Sequence, residues 1–280
     1  MGLFTGKKGL IVGVANDKSI AWGIAKKIMD EGGECGFTHL PDRADDERKK
    51  NRRRVSQLTD GQSGAKFLIP LDVQSDENIA EVMETTAKEF GKIDFLLHSV
   101  AYAPLEDLRV PTVECSREGF KLAMDISAFS LIALVNAARP HFSEQAAVCA
   151  MTYFGGERPV PGYNMMGVCK AALDSIVKYL AYDLGPTGVR VNAISAGPLK
   201  TLASSAVGAK EMLDLYAAVS PLGRNITLDE VSNAGAYLLS DMSTAVTGEL
   251  HHVDAGYNIM GSPGRMAEEY KRLQTELEAK

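Results

Sequence analysis

The sequence predicts an α/β protein, a single doubly wound domain in which a seven-stranded parallel sheet carries helices on both faces. Short apolar runs alternate with longer amphipathic stretches from end to end, and no linker interrupts them. Each run is apolar for most of its length, as expected of strands that are covered on both sides. A chain of 280 residues, of which 45% are hydrophobic, can bury one large core of this kind.

The elements follow in order along the chain. Strands are predicted at residues 8–14, 34–39, 66–72, 93–99, 146–152, 189–195 and 249–254. Helical patterns lie at about 20–32, 76–90, 118–139, 162–184 and 229–240. Two long connections remain, a polar excursion at 42–65 that contains a helix and a strandless segment at 199–226, and long connections are often functional. The domain spans 1–262, and 263–280 form a charged, helical C-terminal tail.

Composition excludes several classes of protein. The net charge of -6 gives no reason to expect nucleic acid as a partner, and the basic cluster at 49–54 follows an acidic run at 45–47, as on a solvated face of mixed charge. No run approaches the ~18 apolar residues of a membrane span, and no signal-peptide cleavage site follows the first apolar run, so we expect a cytoplasmic protein without a membrane segment. The four cysteines lack metal-site or disulfide spacing, which predicts no metal and small core residues: Cys35, Cys115, Cys149 and Cys169.

A glycine-containing turn follows the first strand. Gly13 lies at the turn, Ser19 six residues later and Gly23 four beyond that. Such a turn places backbone N–H groups and a helix N-terminus where a pyrophosphate can bind. The pattern is not GxGxxG, however, and on its own it is a weak indication of nucleotide binding.

Polar or small residues also follow several strands. In a doubly wound sheet, ligands lie beyond the carboxyl ends of the strands, so these residues are expected to border one crevice. Small side chains there would let the backbone approach a flat ligand, which favours a dinucleotide. The strand ends are Asp72-Val73, Ser99-Val100-Ala101, Thr152-Tyr153 and Ser195-Ala196-Gly197-Pro198.

The stretch YNMMGVCK places a phenol and an ammonium, Tyr163 and Lys170, seven residues apart. On an α-helix this spacing is nearly two turns, so both side chains would project from one face, about 10 Å apart along the axis. A ligand of that length could contact both. An ordinary amphipathic helix with a surface tyrosine and a surface lysine gives the same pattern.

Five stretches together carry a resemblance to a known family: residues 13–23, 117–127, 152–174, 185–203 and 248–261. On these the chain resembles the short-chain dehydrogenase/reductase superfamily, which has a Rossmann-type fold, and more narrowly the bacterial enoyl-[acyl-carrier-protein] reductases. Ordinary carbonyl reductases of the superfamily carry Tyr-x-x-x-Lys, but the position four before Lys170 is Met166. The enoyl reductases instead carry Tyr-x6-Lys with a second tyrosine upstream, which Tyr163, Lys170 and Tyr153 match.

The resemblance implies an activity and three catalytic residues. The reaction is reduction of the trans-2 double bond of enoyl thioesters on acyl-carrier protein by hydride from NADH, the last step of the fatty acid elongation cycle. Tyr163 would donate its hydroxyl to the thioester oxygen as enolate charge develops there. Lys170 would hydrogen-bond the nicotinamide ribose, and Tyr153 would lie near the thioester, either acting chemically or shaping the pocket.

The resemblance also implies binding residues. For the cofactor these are Gly13, Ser19 and Ile20 at the pyrophosphate, Asp72 and Val73 at the adenine, Ser99 and Ala101 at the adenosine and centre, and Leu199 and Thr201 with Lys170 at the nicotinamide. For the substrate they are Ala103, Tyr153, Tyr163 and Met166, although core packing explains Met166 equally well. The segment 199–226 would form a helical part of the substrate site.

The sequence departs from the family pattern at Ala101, where glycine is usual, and at Met165, where valine is usual. Leu40 and Pro41 follow the second strand, where members that select a 2′-phosphate place basic residues, and Asp42 would repel a phosphate. NADH is therefore favoured over NADPH, which stays possible.

Partners and competing functions also follow from the resemblance. It implies a homotetramer and acyl-carrier protein as a transient partner, which Lys200 and Arg224 could contact. A reductase acting on enoyl-CoA or a carbonyl is the alternative enzyme. A nucleotide-sensing protein on the same fold would need neither Tyr163 nor Lys170.

Overall fold

The computed structural model describes residues 2–199 and 209–278. Its centre is an all-parallel, seven-stranded sheet in the order β3-β2-β1-β4-β5-β6-β7. The strands are β1 (Lys8–Val12), β2 (Glu34–His39), β3 (Ala65–Pro70), β4 (Ile93–His98), β5 (Phe142–Thr152), β6 (Arg190–Ala196) and β7 (Leu250–Val253). All seven predicted strands are confirmed, with β5 beginning four residues earlier than predicted.

Helices cover the sheet on both faces. They are α1 (Ile20–Asp30), α2 (Lys50–Thr59), α3 (Asp76–Phe90), α4 (Leu105–Leu108), α5 (Arg117–Met124), α6 (Ser130–Ala138), α7 (Asn164–Leu184), α8 (Ala209–Val219), α9 (Leu228–Leu239) and α10 (Arg265–Glu278). The helix predicted over 118–139 is α5 and α6, joined by one π-helical turn at Asp125–Phe129. The excursion at 42–65 contains α2, and the charged tail forms α10, as predicted.

The two core layers follow from the alternation of side chains along each strand. In β4, Leu96 packs with Leu134 of α6 on one face of the sheet, whereas Leu97 packs with Ile24 of α1 on the other. All four side chains are fully buried. Strands buried on both faces read as continuous apolar runs, which is why the sequence located them well.

The strand order reverses between β1 and β4, which are hydrogen-bonded neighbours. Their carboxyl ends meet closely there, because a Cβ atom added to Gly13 would lie 2.0 Å from the carbonyl oxygen of Ser99. Gly13 also has φ +106°, a conformation that favours glycine. In doubly wound sheets this reversal point is where ligands bind, so the fold itself places a crevice beside Gly13 and Ser99.

Contrary to the expectation that no stretch approaches a membrane span, the helical run Arg117–His141 is long and apolar enough to cross a membrane by length and composition alone, with a mean hydropathy of 1.5 in its most apolar window. In this fold it packs beside α3 and α7. Only 39% of that window is buried within one chain, and Phe120, Phe129 and Ile132 are exposed. This run therefore leaves an apolar face that the single chain does not cover.

The core layer behind β4 can be tested with Leu134→Ala. The substitution removes a side chain with no exposed surface, so we expect the free energy of unfolding to fall by about 2–5 kcal/mol. Chemical denaturation monitored by circular dichroism measures this change. Leu222→Ala is the control, because that side chain is 63% exposed and its loss should change stability by less than about 0.5 kcal/mol. Equal losses for the two variants would contradict the described packing.

Candidate active site

Two cavities lie at the carboxyl ends of the strands and share a wall. The first, of 510 Å³, is bordered by Tyr153, Tyr163 and Lys170, and the second, of 440 Å³, by Asp72 and Val73. The residues common to both are Gly13, Ala15, Ser99, Val100 and Ala101. Together the cavities form one elongated crevice across the reversal point of the sheet. An elongated crevice with two lobes suits a ligand with two ring systems joined by a linker.

The turn after β1 is closed by the Ser19 side chain. Its Oγ accepts the backbone N–H groups of Ala15 at 3.0 Å and Asn16 at 2.9 Å. Ser19 is the N-cap residue of α1, as the sequence suggested, but its hydroxyl folds the turn and does not cap the helix. Since α1 begins at Ile20, its first N–H groups have no carbonyl partner within the helix. Ser19 and Ile20 both border the first cavity, where these N–H groups and the helix dipole suit a pyrophosphate.

The second cavity is closed by the ends of β2 and β3. Asp72 is held in place because its N–H donates to Asn78 Oδ1 at 2.7 Å, while its own Oδ1 accepts from the N–H of Gln74 at 3.0 Å. Leu40, 66% exposed, lies on the rim after β2. Asp42 accepts from backbone N–H groups at the start of α2, those of Asn51 at 2.6 Å and Arg52 at 3.2 Å. The rim near Leu40 is therefore apolar, with an ordered carboxylate two residues further on.

Lys170 is a buried cation on α7, with only 5% of its surface exposed. Its Nζ donates to the carbonyl oxygen of Met151 at 2.8 Å. Burial lowers the pKa of Lys170 to about 8, against the opposing effect of Asp174 one turn along the helix. Asp174 in turn accepts the hydroxyl of Thr152 at the end of β5. An ammonium has three N–H donors, so two remain for a ligand in the first cavity.

Tyr163 lies outside the helix that the sequence placed it in. The helix was predicted from residue 162, but α7 begins at Asn164, and Tyr163 is its N-cap residue with φ −108° and ψ 4°. The helix thus begins two residues later than predicted, but the Tyr163 carbonyl accepts the N–H of Gly167 at 2.7 Å, and Tyr163 and Lys170 border the same cavity. Desolvation, with Tyr153 nearby, raises the pKa of the Tyr163 phenol, so at neutral pH it is a protonated hydrogen-bond donor.

Tyr153 links Tyr163 to an aromatic cluster. The rings of Tyr153 and Tyr163 meet edge to face, with centroids 4.6 Å apart. The Tyr153 hydroxyl is hydrogen-bonded to that of Tyr216 on α8, and the Tyr216 ring stacks on Tyr257 at 3.9 Å. Burial raises the pKa of Tyr153, whereas the hydrogen bond from Tyr216 lowers it. Sequence reasoning missed both Tyr216 and Tyr257, because nothing in their local pattern marks a contact with a residue so distant in the chain.

The structure does not bring every predicted residue to the crevice. Ala103 and Met166 are 6% exposed and pack together in a small cluster with Tyr163 against it, but neither borders the described cavities. Met166 therefore packs in a buried cluster, which was the alternative interpretation of this residue. Leu199 borders the first cavity, whereas Lys200 and Thr201 lie outside the described residues.

None of the four cysteines borders the two cavities. Cys35, Cys149 and Cys169 are buried, as expected, and burial raises the pKa of the Cys169 thiol to about 11, although Lys170 lowers it. Cys115 is only half-buried, so the expectation of a core residue is wrong there. Burial and the neighbouring Asp107 raise its pKa as well.

This fold and site define a dinucleotide-dependent oxidoreductase of the short-chain dehydrogenase/reductase type. A family model described as Enoyl-(Acyl carrier protein) reductase matches residues 13–258. The chain is 46% identical over 258 residues to an enoyl-[acyl-carrier-protein] reductase [NADH], FabI, of Nostoc sp., covering 92% of this chain and 98% of that relative. This protein therefore belongs to the enoyl-[acyl-carrier-protein] reductase family.

Solved structures agree with this assignment. The enoyl-[acyl-carrier-protein] reductase of Anaplasma phagocytophilum in complex with NAD aligns with a TM-score of 0.86 and 44% identity, over 93% of this chain and 97% of that one. The Bacillus cereus reductase with NADP+ and indole naphthyridinone aligns with a TM-score of 0.88 and 43% identity, over 94% and 100%.

Gly13→Ala should disrupt the crevice. The new Cβ would lie 2.0 Å from the Ser99 carbonyl oxygen, and alanine is strained at φ +106°, so the turn must move. We expect the Kd for NADH, measured by fluorescence titration, to rise more than about tenfold, equivalent to 1.4 kcal/mol. Gly185→Ala is the control, since nothing lies within 4 Å of its Cβ position. Unchanged affinity in Gly13→Ala would contradict nucleotide binding at this turn.

The lowered pKa of Lys170 predicts a pH dependence of NADH binding. Below about pH 8 the ammonium is present and can donate to the nucleotide; above it the unliganded protein loses that proton. The Kd for NADH should thus be flat below pH 7.5 and should rise by several-fold towards pH 9.5, measured by titration calorimetry in matched buffers. Lys170→Met should bind more weakly and lose this slope. A slope that persists in Lys170→Met would assign it to another group.

Proposed function

We propose that this protein reduces the trans-2 double bond of enoyl thioesters on acyl-carrier protein with NADH, the last step of the fatty acid elongation cycle. The observation that carries the proposal is the meeting of Tyr153, Tyr163 and Lys170 at one cavity, continuous with a second cavity at Asp72 and Val73. A protein that only bound a nucleotide would not need two phenols and a buried ammonium at the same cavity. Bound NADH supplies the hydride that adds to the β-carbon.

Tyr163 stabilises the charge that develops on the thioester oxygen. As hydride adds to the β-carbon, electrons move onto that oxygen and form an enolate. A neutral phenol that donates a hydrogen bond there binds the transition state more tightly than the ground state, and such donors are worth about 3–4 kcal/mol in other enzymes. The raised pKa of Tyr163 keeps its proton in place at neutral pH, as this role requires.

Lys170 would hydrogen-bond the nicotinamide ribose. One of its three N–H groups donates to the Met151 carbonyl, so two remain for the ribose. Because Lys170 borders the same cavity as the two phenols, its positive charge would favour negative charge on a substrate oxygen there. The other cofactor contacts we propose are Gly13, Ser19 and Ile20 at the pyrophosphate, Asp72 and Val73 at the adenine, Ser99 and Ala101 between them, and Leu199 and Thr201 at the nicotinamide end.

NADH is the preferred cofactor in this proposal. The rim after β2 presents Leu40, which cannot pair with a 2′-phosphate, and the Asp42 carboxylate follows it. Among relatives, the Nostoc enzyme carries NADH in its name, whereas the Bacillus cereus structure contains NADP+. Arg43 is the nearest cation in sequence, so some activity with NADPH is expected.

The substrate enters as a thioester of acyl-carrier protein. Tyr153 and Tyr163 contact the thioester, while Ala103 and Met166 pack behind Tyr163 and shape its position. The segment 199–226 contributes a helical wall through α8. Arg224 is a poor candidate for an acidic partner, because both its terminal nitrogens bind Glu230, at 3.0 and 2.6 Å.

We also propose a cytoplasmic homotetramer. The exposed apolar side chains on the α5–α6 run are continued on α7 by Val168, Tyr179 and Tyr182. Such a surface suits contact with further copies of the chain through helix faces.

The proposal is tested by the loss of reduced-nicotinamide absorbance with a trans-2-enoyl thioester, on acyl-carrier protein and on CoA, with NADH and then NADPH. We expect wild type to oxidise NADH, fastest with the carrier-protein thioester. Tyr163→Phe should lower kcat by about 10²–10³-fold while its Kd for NADH changes less than twofold, because only the transition-state donor is lost.

Three outcomes would contradict parts of this proposal. Oxidation with CoA thioesters alone would identify an enoyl-CoA reductase. Full activity in Tyr163→Phe would show that Tyr163 is not the hydrogen-bond donor to the thioester oxygen. If folded, NADH-binding protein oxidised no NADH with either thioester, the activity itself would be wrong.

A further inference from the structure

Tyr216 contacts Tyr153, one of the three proposed catalytic residues, but has no role in the reaction proposed above. It lies on α8 with 3% of its surface exposed, and its hydroxyl is hydrogen-bonded to that of Tyr153, 63 residues away in the chain. It borders none of the cavities described above, whereas Tyr153 borders the first. Tyr216 is therefore positioned to act on Tyr153 and not on the substrate.

The direction of this hydrogen bond follows from counting protons. Each phenol has one O–H proton, so one hydroxyl donates and the other accepts. If Tyr153 donated, the buried proton of Tyr216 would have no acceptor among the contacts described, at the cost of an unsatisfied polar group. If Tyr216 donates, its proton is satisfied and Tyr153 keeps its own proton for the open cavity. The second arrangement satisfies both groups.

We propose that Tyr216 is a positioning residue that donates to Tyr153 and thereby aims the Tyr153 proton into the cavity, towards the thioester oxygen of the substrate. This inference rests on the proposed function. It makes Tyr153 a second hydrogen-bond donor beside Tyr163, and not only a wall of the pocket. A donor that is already oriented loses no rotational freedom when the substrate binds.

The surroundings of Tyr216 hold it still enough for this role. Its ring stacks on Tyr257 at 3.9 Å and 17°, and Tyr257 meets Phe154 edge to face at 5.8 Å. The turn that carries Tyr257 is fixed by buried Asp254, whose carboxylate accepts the N–H of Asn258 at 2.7 Å. Tyr216 is thus held by ring stacking on Tyr257 and by its hydrogen bond to Tyr153.

The test compares Tyr216→Phe with Tyr257→Phe. The first removes only the hydroxyl that bonds Tyr153 and keeps the stacked ring; the second removes a hydroxyl of the same stack that has no described bond to Tyr153. Steady-state kinetics with crotonyl-CoA at saturating NADH should show kcat lowered about fivefold in Tyr216→Phe and within twofold of wild type in Tyr257→Phe. The Kd for NADH should be unchanged in both. Equal loss in the two variants would indicate a structural role and overturn the inference.

A double-mutant cycle asks whether Tyr216 acts through Tyr153. In a Tyr153→Phe background, Tyr216→Phe should cause no further loss of kcat, because its target is gone. Losses that multiply in the double variant would overturn the inference.

Thermal unfolding of wild type, Tyr153→Phe, Tyr216→Phe and the double variant tests the hydrogen bond independently of any enzyme activity. Their melting temperatures should shift non-additively, because either single variant breaks the same hydrogen bond. If wild type were inactive but the shifts in melting temperature were non-additive, the proposed function would be wrong, while the hydrogen bond between Tyr153 and Tyr216 would be confirmed. Additive shifts would overturn the bond, whatever the activity.

Discussion

The buried ammonium of Lys170 is the constraint on which the active site depends. A charge removed from water is costly unless hydrogen bonds and an opposite charge compensate it. The end of β5 supplies the Met151 carbonyl, and the next turn of α7 supplies Asp174, which Thr152 holds. These contacts require β5 and α7 to pack in one register. Burial lowers the pKa of the neighbouring His98 to about 3, and the charge of Lys170 adds to this effect, so His98 is neutral. The contacts of one cation thus constrain how β5 and α7 pack, and its charge adds to the effect of burial on His98.

Around this cation the site is lined by phenols rather than by charged acids. Desolvation raises the pKa of both Tyr153 and Tyr163, with a further rise from Tyr257 at Tyr153 and from Tyr153 at Tyr163, so both remain donors near neutral pH. Donors in a site of low dielectric act more strongly on developing charge than they would in water. The contacts among Tyr163, Tyr153, Tyr216 and Tyr257 extend this arrangement from the end of β5 to α8, so the cavity and α8 are connected through one chain of tyrosines.

Much of this could be predicted from sequence, for identifiable reasons. Buried parallel strands are continuous apolar runs, so all seven were found, and the crevice follows from where such strands end. The start of α7 was misplaced, because Gly162 adopts φ +79° and the turn continues through Tyr163. Tyr216 and Tyr257 were missed because their contacts join residues far apart in the chain. Met166 has the same apolar character whether it packs in a core or borders a cavity, so sequence alone could not decide between them.

The buried cysteines have a consequence for a protein that handles conjugated thioesters. Such a substrate is an electrophile, and a thiolate close to its β-carbon would add to it and inactivate the protein by alkylation. Cys169 is next to Lys170 in the chain, yet burial raises its pKa to about 11, so it is almost entirely an unreactive thiol at neutral pH. The burial that lowers the pKa of the Lys170 ammonium thus also raises that of the adjacent thiol, and Cys169 borders neither cavity, so a conjugated thioester in the crevice would not meet a thiolate at this position.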